Sequence, residues 1–195
     1  MDAAKNPWVT TSRAVRFDNP WMQVREDQVL RPDGSAGAYG HVHFKNVAVG
    51  VLPLIDTPGG VAAILVGQWR YTLGTYSWEI PAGGCVVDGP ESTLDAARRE
   101  LAEETGMEAG DLAFLGHGHL SNSITDEVSA MYVARGLRPV AVRPAHDPSE
   151  DLRVARVPWD DVLARIRSGA ITDALTLTTV LRYQLVAAGL GPIRG

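Results

Sequence analysis

Up to about Lys45 the apolar residues come in short alternating segments, among them Trp21-Met22-Gln23-Val24-Arg25 and Ala38-Tyr39-Gly40-His41-Val42-His43-Phe44. The turn signals Asp18-Asn19-Pro20 and Arg31-Pro32-Asp33-Gly34 separate such segments, which predicts a small antiparallel sheet. Over residues 46–55 and 60–69 the pattern changes to apolar, β-branched runs parted by Thr57-Pro58-Gly59-Gly60, the mark of buried strands in a hairpin. Residues 92–105 carry the helical period. Leu94, Ala97 and Leu101 fall at i, i+3 and i+7 on one stripe, Ser92 or Thr93 caps the start, and Gly106 is the stop. Residues 113–115, 129–134 and 152–157 read as strands. Pro158-Trp159-Asp160-Asp161 opens a second helix with Pro158 in its first turn, and residues 173–188 form a third, closed by Gly189. Strands and helices mix in no regular βαβ rhythm. That favours an α+β fold, or an α/β/α sandwich on a mixed sheet, over a doubly wound one.

Composition narrows the class. A chain of 195 residues suits one domain, or one domain with a small lobe, and buries a core without staples. No apolar run reaches the roughly 18 residues needed to span a bilayer. The N-terminal stretch lacks the apolar core of a signal peptide, so a cytoplasmic protein with no membrane partner is expected. The single Cys85 excludes an internal disulfide and a cysteine-based zinc site. Eighteen Lys and Arg against 23 Asp and Glu give a net charge of −5, which argues against unspecific nucleic-acid binding. An anionic ligand would need something to reverse the local sign.

The first helix carries Glu100 and Glu104 at i, i+4, with Glu103 beside them. Like charges at that spacing cost helix stability unless a cation sits between them, and carboxylate oxygens suit Mg²⁺ or Mn²⁺. Exposed charge runs are usually solvated surface, and taken alone this one, balanced by Arg98 and Arg99, is read that way. The context shifts the reading. Trp78-Glu79-Ile80-Pro81-Ala82-Gly83-Gly84 is an apolar strand end running into a glycine-rich turn, where backbone can approach a ligand closely. Glu91 follows after a loop. A spacer, residues 92–98, then leads to Arg99-Glu100-Leu101-Ala102-Glu103-Glu104-Thr105-Gly106-Met107.

This segment resembles the signature of the Nudix hydrolase family, G-x5-E-x7-R-E-U-x-E-E-x-G-U, where U is aliphatic. From Glu91 to Met107 every specified position agrees. The departure lies in front: six residues separate Gly84 from Glu91, and seven separate Gly83 from it, where the family has five. The loop is expected to bulge without moving the helix, since loop insertions are cheap. The resemblance implies that Glu100, Glu103 and Glu104 are metal ligands, Glu103 directly or through water. It implies that the carbonyl of Ala82, or a neighbour, completes the coordination, and that Arg99 pairs with Glu91. The implied cofactor is Mg²⁺, with Mn²⁺ as substitute, and the implied fold is a Nudix α/β/α sandwich with a mixed sheet (residues 46–195) plus a small antiparallel β lobe (residues 1–45).

The resemblance extends beyond this box. Gln68-Trp69-Arg70-Tyr71 is similar to the Gln-x-Arg-Tyr strand of ADP-ribose pyrophosphatases and nucleoside-diphosphate-sugar hydrolases, which makes Arg70 a substrate ligand. Glu79 agrees with their Glu-x-Pro-Ala-Gly; the plainer reading of Glu79 is a strand carboxylate paired with Arg70. Residues 120–127 stand where that branch has Ser-Pro-Gly-x-Ser-Asp-Glu, so Glu127 joins the substrate set. Asn122 replaces the proline that often marks ADP-ribose specificity, which favours the broader nucleoside-diphosphate-sugar class. The general base of these relatives is a glutamate on a late loop, which the resemblance places at Glu150 as base or as an extra metal ligand; a solvated loop carboxylate is the alternative. The resemblance also implies a homodimer built by the N-terminal lobe, whose short strands would hardly stand alone. The rivals are a Nudix hydrolase of nucleoside triphosphates, dinucleoside polyphosphates or NADH, and a silent Nudix domain that senses a nucleotide sugar. The intact carboxylate set argues against the silent domain. His41/His43 and His117/His119, at i, i+2, are read as polar strand residues, and Cys85 as no nucleophile for want of an activating neighbour.

Overall fold

The computed structural model describes residues 5–142, 144 and 151–190. The chain divides into two compact units, residues 1–46 with 121–127, and residues 47–120 with 128–195.

The first unit is a three-stranded sheet in the order β1 (Val9–Asp18), β2 (Met22–Leu30), β3 (Ala36–Phe44). Its turns lie where the sequence signals them. Asn19 Oδ1 accepts from the amides of Trp21 and Met22 at 2.9 and 2.8 Å, and Gly34 turns the chain back at φ 83°. β2 and β3 pair antiparallel without a register break, from Met22↔Phe44 to Leu30↔Ala36. β1 was not read from the sequence as a separate strand. Its residues are almost all exposed and its register against β2 shifts twice, so little apolar alternation marks it. Asp27 is buried beneath Arg13, which donates two hydrogen bonds of 2.7 Å, with His41 at 3.5 Å. The hydrogen bonds from Arg13 hold its carboxyl below the ordinary value, although burial opposes them. Residues 121–127 run beside β3. The Val42 amide donates to Ile124 O, and Asp126 takes Nδ1 of His43 at 2.5 Å and the Phe44 amide at 2.9 Å.

The second unit is a mixed seven-stranded sheet with three helices among the described residues. The strands are β4 (Asn46–Thr57), β5 (Gly60–Arg70), β6 (Thr75–Glu79), β7 (Ala82–Val86), β8 (Met107–His119), β9 (Val128–Pro139) and β10 (Arg153–Pro158). The path is β10-β5-β4-β9-β8, with β6 beside β5 and β7 beside β4. β4 runs antiparallel to β5, as the hairpin signal implies, and parallel to β9. The helices are α1 (Thr93–Thr105), α2 (Trp159–Arg167) and α3 (Ala174–Ala187). None of the described helices is long and apolar enough to cross a membrane.

Period-two alternation in the central strands builds the two faces. Val49 and Val51 of β4, with Ala130, Tyr132 and Ala134 of β9, form one cluster with Ala96, Ala97 and Leu101 of α1. The alternate residues Leu52, Leu54, Met131 and Val133 face the cluster that holds Val162 of α2 with Leu175 and Val180 of α3. This is the expected sandwich, with helices on both faces of a mixed sheet. Four details differ from the sequence reading. Residues 82–86, read as a glycine-rich turn and the start of a loop, form strand β7. β8 and β9 are far longer than residues 113–115 and 129–134, because they pair with each other over nearly their whole length through polar and glycine positions. A register shift at Gly116, φ 131°, interrupts β8. Pro158 ends β10 opposite Ala62 and serves as the N-cap of α2, so the helix starts at Trp159.

Leu101 is fully buried between α1 and the sheet. Leu101→Ala removes packed methyl groups and leaves a cavity. It is expected to lower stability by about 2–5 kcal/mol, read as a fall in the urea midpoint at unchanged m.

Candidate active site

α1 starts and stops where its sequence dictates. Ser92 Oγ accepts from the Asp95 amide at 3.1 Å, and Gly106 leaves the helix at φ 70° with its amide on Ala102 O at 2.9 Å. Alanines at 96 and 97, both fully buried, let the helix lie close to the sheet. The same packed side takes in Glu100 and Glu104, only 8% and 3% exposed. The acidic run is therefore not a solvated face.

What meets these carboxylates is the turn into β7. Glu104 Oε2 accepts from the Ala82 amide at 3.0 Å. Glu100 lies against Gly83 so closely that a Cβ there would sit 1.9 Å from Oε1, so position 83 admits no side chain while Glu100 holds this place. The Pro81 carbonyl is engaged by the Val51 amide at 2.9 Å, and the Gly84 carbonyl by Arg99 Nη2 at 3.0 Å. Arg99 gathers the remaining acids. It grips Glu91 bidentately at 2.9 and 3.0 Å and reaches Glu100 at 2.6 Å and Glu103 at 3.2 Å. Hydrogen bonding to Arg99 holds the Glu91 carboxyl below its ordinary value, and the same carboxylates push the guanidinium of Arg99 up.

The extra loop length is absorbed beyond β7. The Gly89 amide closes a turn onto Val86 O at 3.1 Å, with Asp88 at φ 58°. Cys85 is buried within β7, with its thiol donating to Glu91 O at 3.2 Å. Burial pushes that thiol up, which suits an inert side chain.

On the neighbouring strands Arg70 and Glu79 form a forked pair. Nε donates to Oε1 at 2.9 Å and Nη2 to Oε2. Burial pushes Glu79 up, but the hydrogen bonds and charge of Arg70 outweigh it and leave the carboxyl below its ordinary value. Two of the three residues singled out as substrate ligands are thus engaged with each other. Glu127 ends the 121–127 segment of the first unit. Glu150 lies outside the described residues.

Two residues not singled out from the sequence also touch this region. Thr176 Oγ1 accepts from the Ile80 amide at 3.0 Å and donates to Asp173 Oδ2 at 2.7 Å. The only advance signal was the capping spacing of Asp173 to Thr176 at the head of α3.

A model described as "NUDIX domain" matches residues 44–175, and a second, "Nucleoside diphosphate sugar hydrolase N-terminal domain", matches residues 5–42. The chain belongs to the Nudix hydrolase family. It is an enzyme of that family, acting on pyrophosphate bonds. Among its relatives, an ADP-ribose pyrophosphatase of Mycobacterium tuberculosis is 31% identical, over 98% of this chain and 90% of its own. An ADP-ribose pyrophosphatase of Bacillus subtilis is 30% identical, over 92% of this chain and 94% of its own. An ADP-sugar pyrophosphatase of Mus musculus is 28% identical, over 87% and 82%. A crystal structure of an ADP compounds hydrolase shares the fold, with TM-score 0.82 at 21% identity, over 98% of this chain and 100% of that one.

Nudix hydrolases use divalent metal ions, and the donors around α1 fit one. They are hard carboxylate oxygens, with Glu100 and Glu104 buried, at a turn where Gly83 lets the backbone lie against Glu100. The fit is one of donor chemistry. Among the described residues no three His, Cys, Asp or Glu side chains are gathered as a cation site, and Glu100 and Glu103 lean on Arg99.

The Arg70–Glu79 pair gives this Nudix domain a pH signature. The folded pKa of Glu79 is depressed below the ordinary 4.5, so the stability it adds is complete above that value and is lost as pH falls through the depressed one. Glu79→Gln is expected to cost about 1.5–3 kcal/mol at neutral pH and to flatten the acid limb of stability against pH, measured by urea unfolding from pH 7 to 3.

Proposed function

We propose that this Nudix hydrolase cleaves the diphosphate bond of a nucleoside diphosphate sugar, ADP-ribose being the leading candidate, into a nucleoside monophosphate and a sugar phosphate. The observation that carries the reading is the pair of buried carboxylates, Glu100 and Glu104, at the Ala82–Gly83 turn. Ionised carboxylates are costly to bury without a compensating cation. Support for the substrate class comes from the description of the matched N-terminal model and from the names of the relatives.

In this reading Glu100, Glu104 and Glu103, with the Ala82 carbonyl, hold Mg²⁺, or Mn²⁺ in its place. A cation held there would neutralise the diphosphate and stabilise charge on the leaving phosphate. Arg99 and Glu91 act as one unit that fixes where α1 presents its acids. Arg70, Glu79 and Glu127 are the proposed substrate contacts. Arg70 serves either as the existing pair or by exchanging Glu79 for a phosphate oxygen, since its side chain is 39% exposed. Glu150 takes a proton from the water whose oxygen bonds to phosphorus as the bridging P–O bond breaks. The lobe of residues 1–45 joins two copies; exposed Val9, Val15 and Phe17 on the edge strand β1 support that role.

The test is hydrolysis by purified protein across nucleoside diphosphate sugars, triphosphates, dinucleoside polyphosphates and NADH. Monophosphate release from the first group, abolished by EDTA and restored by Mg²⁺, is the expected result; no turnover of any member removes the reading. Glu150→Gln is expected to lower kcat about 10²–10⁴-fold with an unchanged unfolding midpoint. Activity near that of the unaltered chain takes Glu150 out of the mechanism.

A further inference from the structure

The chain crosses from one sheet partner to another between Glu79 and Ala82. β6 pairs with β5 and β7 with β4, so the residues between them belong to neither ladder. Their backbone groups must find partners elsewhere, because Ile80 and Pro81 are buried. The Pro81 carbonyl accepts from the Val51 amide at 2.9 Å, and the Ala82 amide donates to Glu104 at 3.0 Å. The Ile80 amide donates to Oγ1 of Thr176 at 3.0 Å, from a residue 96 positions away.

Thr176 is fully buried. Its hydroxyl has one proton, which goes to Asp173 Oδ2 at 2.7 Å and leaves a lone pair for Ile80. Asp173 also accepts from the Thr176 amide at 2.7 Å, so the N-cap of α3 sets the rotamer of the hydroxyl. The side chains of Ile80 and Leu175 lie so close to Gly50 that a Cβ there would meet each at 2.9 Å, so this segment and α3 pack on the same point of β4. The next residues are the turn that meets Glu104 and Glu100, and the preceding one is Glu79 of the Arg70 pair. Asp173 adds its charge to the field at Arg70.

We propose that Thr176, oriented by Asp173, is a positioning residue for the metal turn: it fixes the height of residues 80–83 and so the place of the Ala82 backbone relative to Glu100 and Glu104. This deepens the metal-dependent reading above and rests on it. α3 contributes no acid to the set, yet it decides where the backbone part of that set stands. The hydrogen bond to Ile80 is the route by which it does so.

The test uses the full chain and Mn²⁺ as probe, with affinity read from free Mn²⁺ by electron paramagnetic resonance, and with kcat and KM measured in Mg²⁺. Thr176→Val keeps the shape and removes the acceptor. It is expected to weaken Mn²⁺ binding by roughly 10-fold or more and to lower kcat more than it raises KM, because support around a metal site typically acts at that scale. Thr176→Ser restores the acceptor and should recover most of the affinity. Thr179→Val is the control: Thr179 is equally buried on α3, but its hydroxyl returns to Leu175 O at 2.7 Å. It should lower stability and leave Mn²⁺ affinity within about twofold, the size of a change that touches no ligand. If Thr176→Val does not fold, Asp173→Ala keeps the hydroxyl but frees its rotor, and a smaller loss of affinity in the same direction is expected. Unchanged Mn²⁺ affinity in the tested variant, or an equal loss in Thr179→Val, overturns the proposal. Absence of Mn²⁺ binding and of hydrolysis in the unaltered chain would instead overturn the metal-dependent reading itself.

Discussion

Two carboxylates on the packed side of a helix govern the second unit. Taking an ionised carboxylate out of water costs several kcal/mol unless hydrogen bonds and opposite charge return most of it. Glu100 and Glu104 stand on α1 among Ala96, Ala97 and Leu101, and Arg99 on the same helix donates to Glu100. The surroundings supply the rest. The Ala82 amide faces Glu104, a residue without a side chain leaves space for Glu100, and Glu91 anchors the guanidinium that serves Glu100 and Glu103. Strand, turn, loop and helix are thus fitted to two charges, and removing any part leaves an acid stranded in the packing.

The same constraint explains why the turn must lie where the sheet changes partners. A continuous ladder would consume the amide that Glu104 needs. By leaving β5 after Glu79 and joining β4 at Ala82, the chain frees its polar groups within a few residues and hands them to three different elements: β4, α1 and α3. Buried polar groups connected in this way specify one geometry, because a shift of any one of them breaks bonds to several elements at once.

Much of this was legible beforehand. The β4–β5 hairpin, the caps of α1 and the sandwich class follow from strong local signals: a β-branched run either side of a Pro-Gly-Gly turn, a Ser92 cap and a Gly106 stop. The meeting of Glu91 with Arg99 is what the family resemblance implies, and that of Glu79 with Arg70 is the plainer reading of Glu79. The burial of Glu100 and Glu104 was not visible from spacing alone, since an i, i+4 acid pair looks the same on a wet face as on a packed one. β1 went unseen because an exposed edge strand needs no apolar alternation. Thr176 went unseen because its partner, Ile80, is 96 positions away and bonds through its backbone, which carries no residue-type signal.

The parallel pairing of β4 with β9 has a consequence for how the chain acquires this arrangement. Ala48 opposes Ser129 and Pro53 opposes Ala134, partners about 80 residues apart. Such a contact closes a long loop and forms late, in contrast to the hairpin of β4 and β5, which closes over a few residues. Until β9 arrives, the cluster under α1 lacks Ala130, Tyr132 and Ala134, and the helix has only half its cover. During synthesis the acidic helix is therefore made well before the strand that lets its carboxylates leave water. A chain that stops short of residue 128 lacks the β9 residues packed under α1, so the cluster that holds the acidic helix to the sheet cannot close until that strand is made.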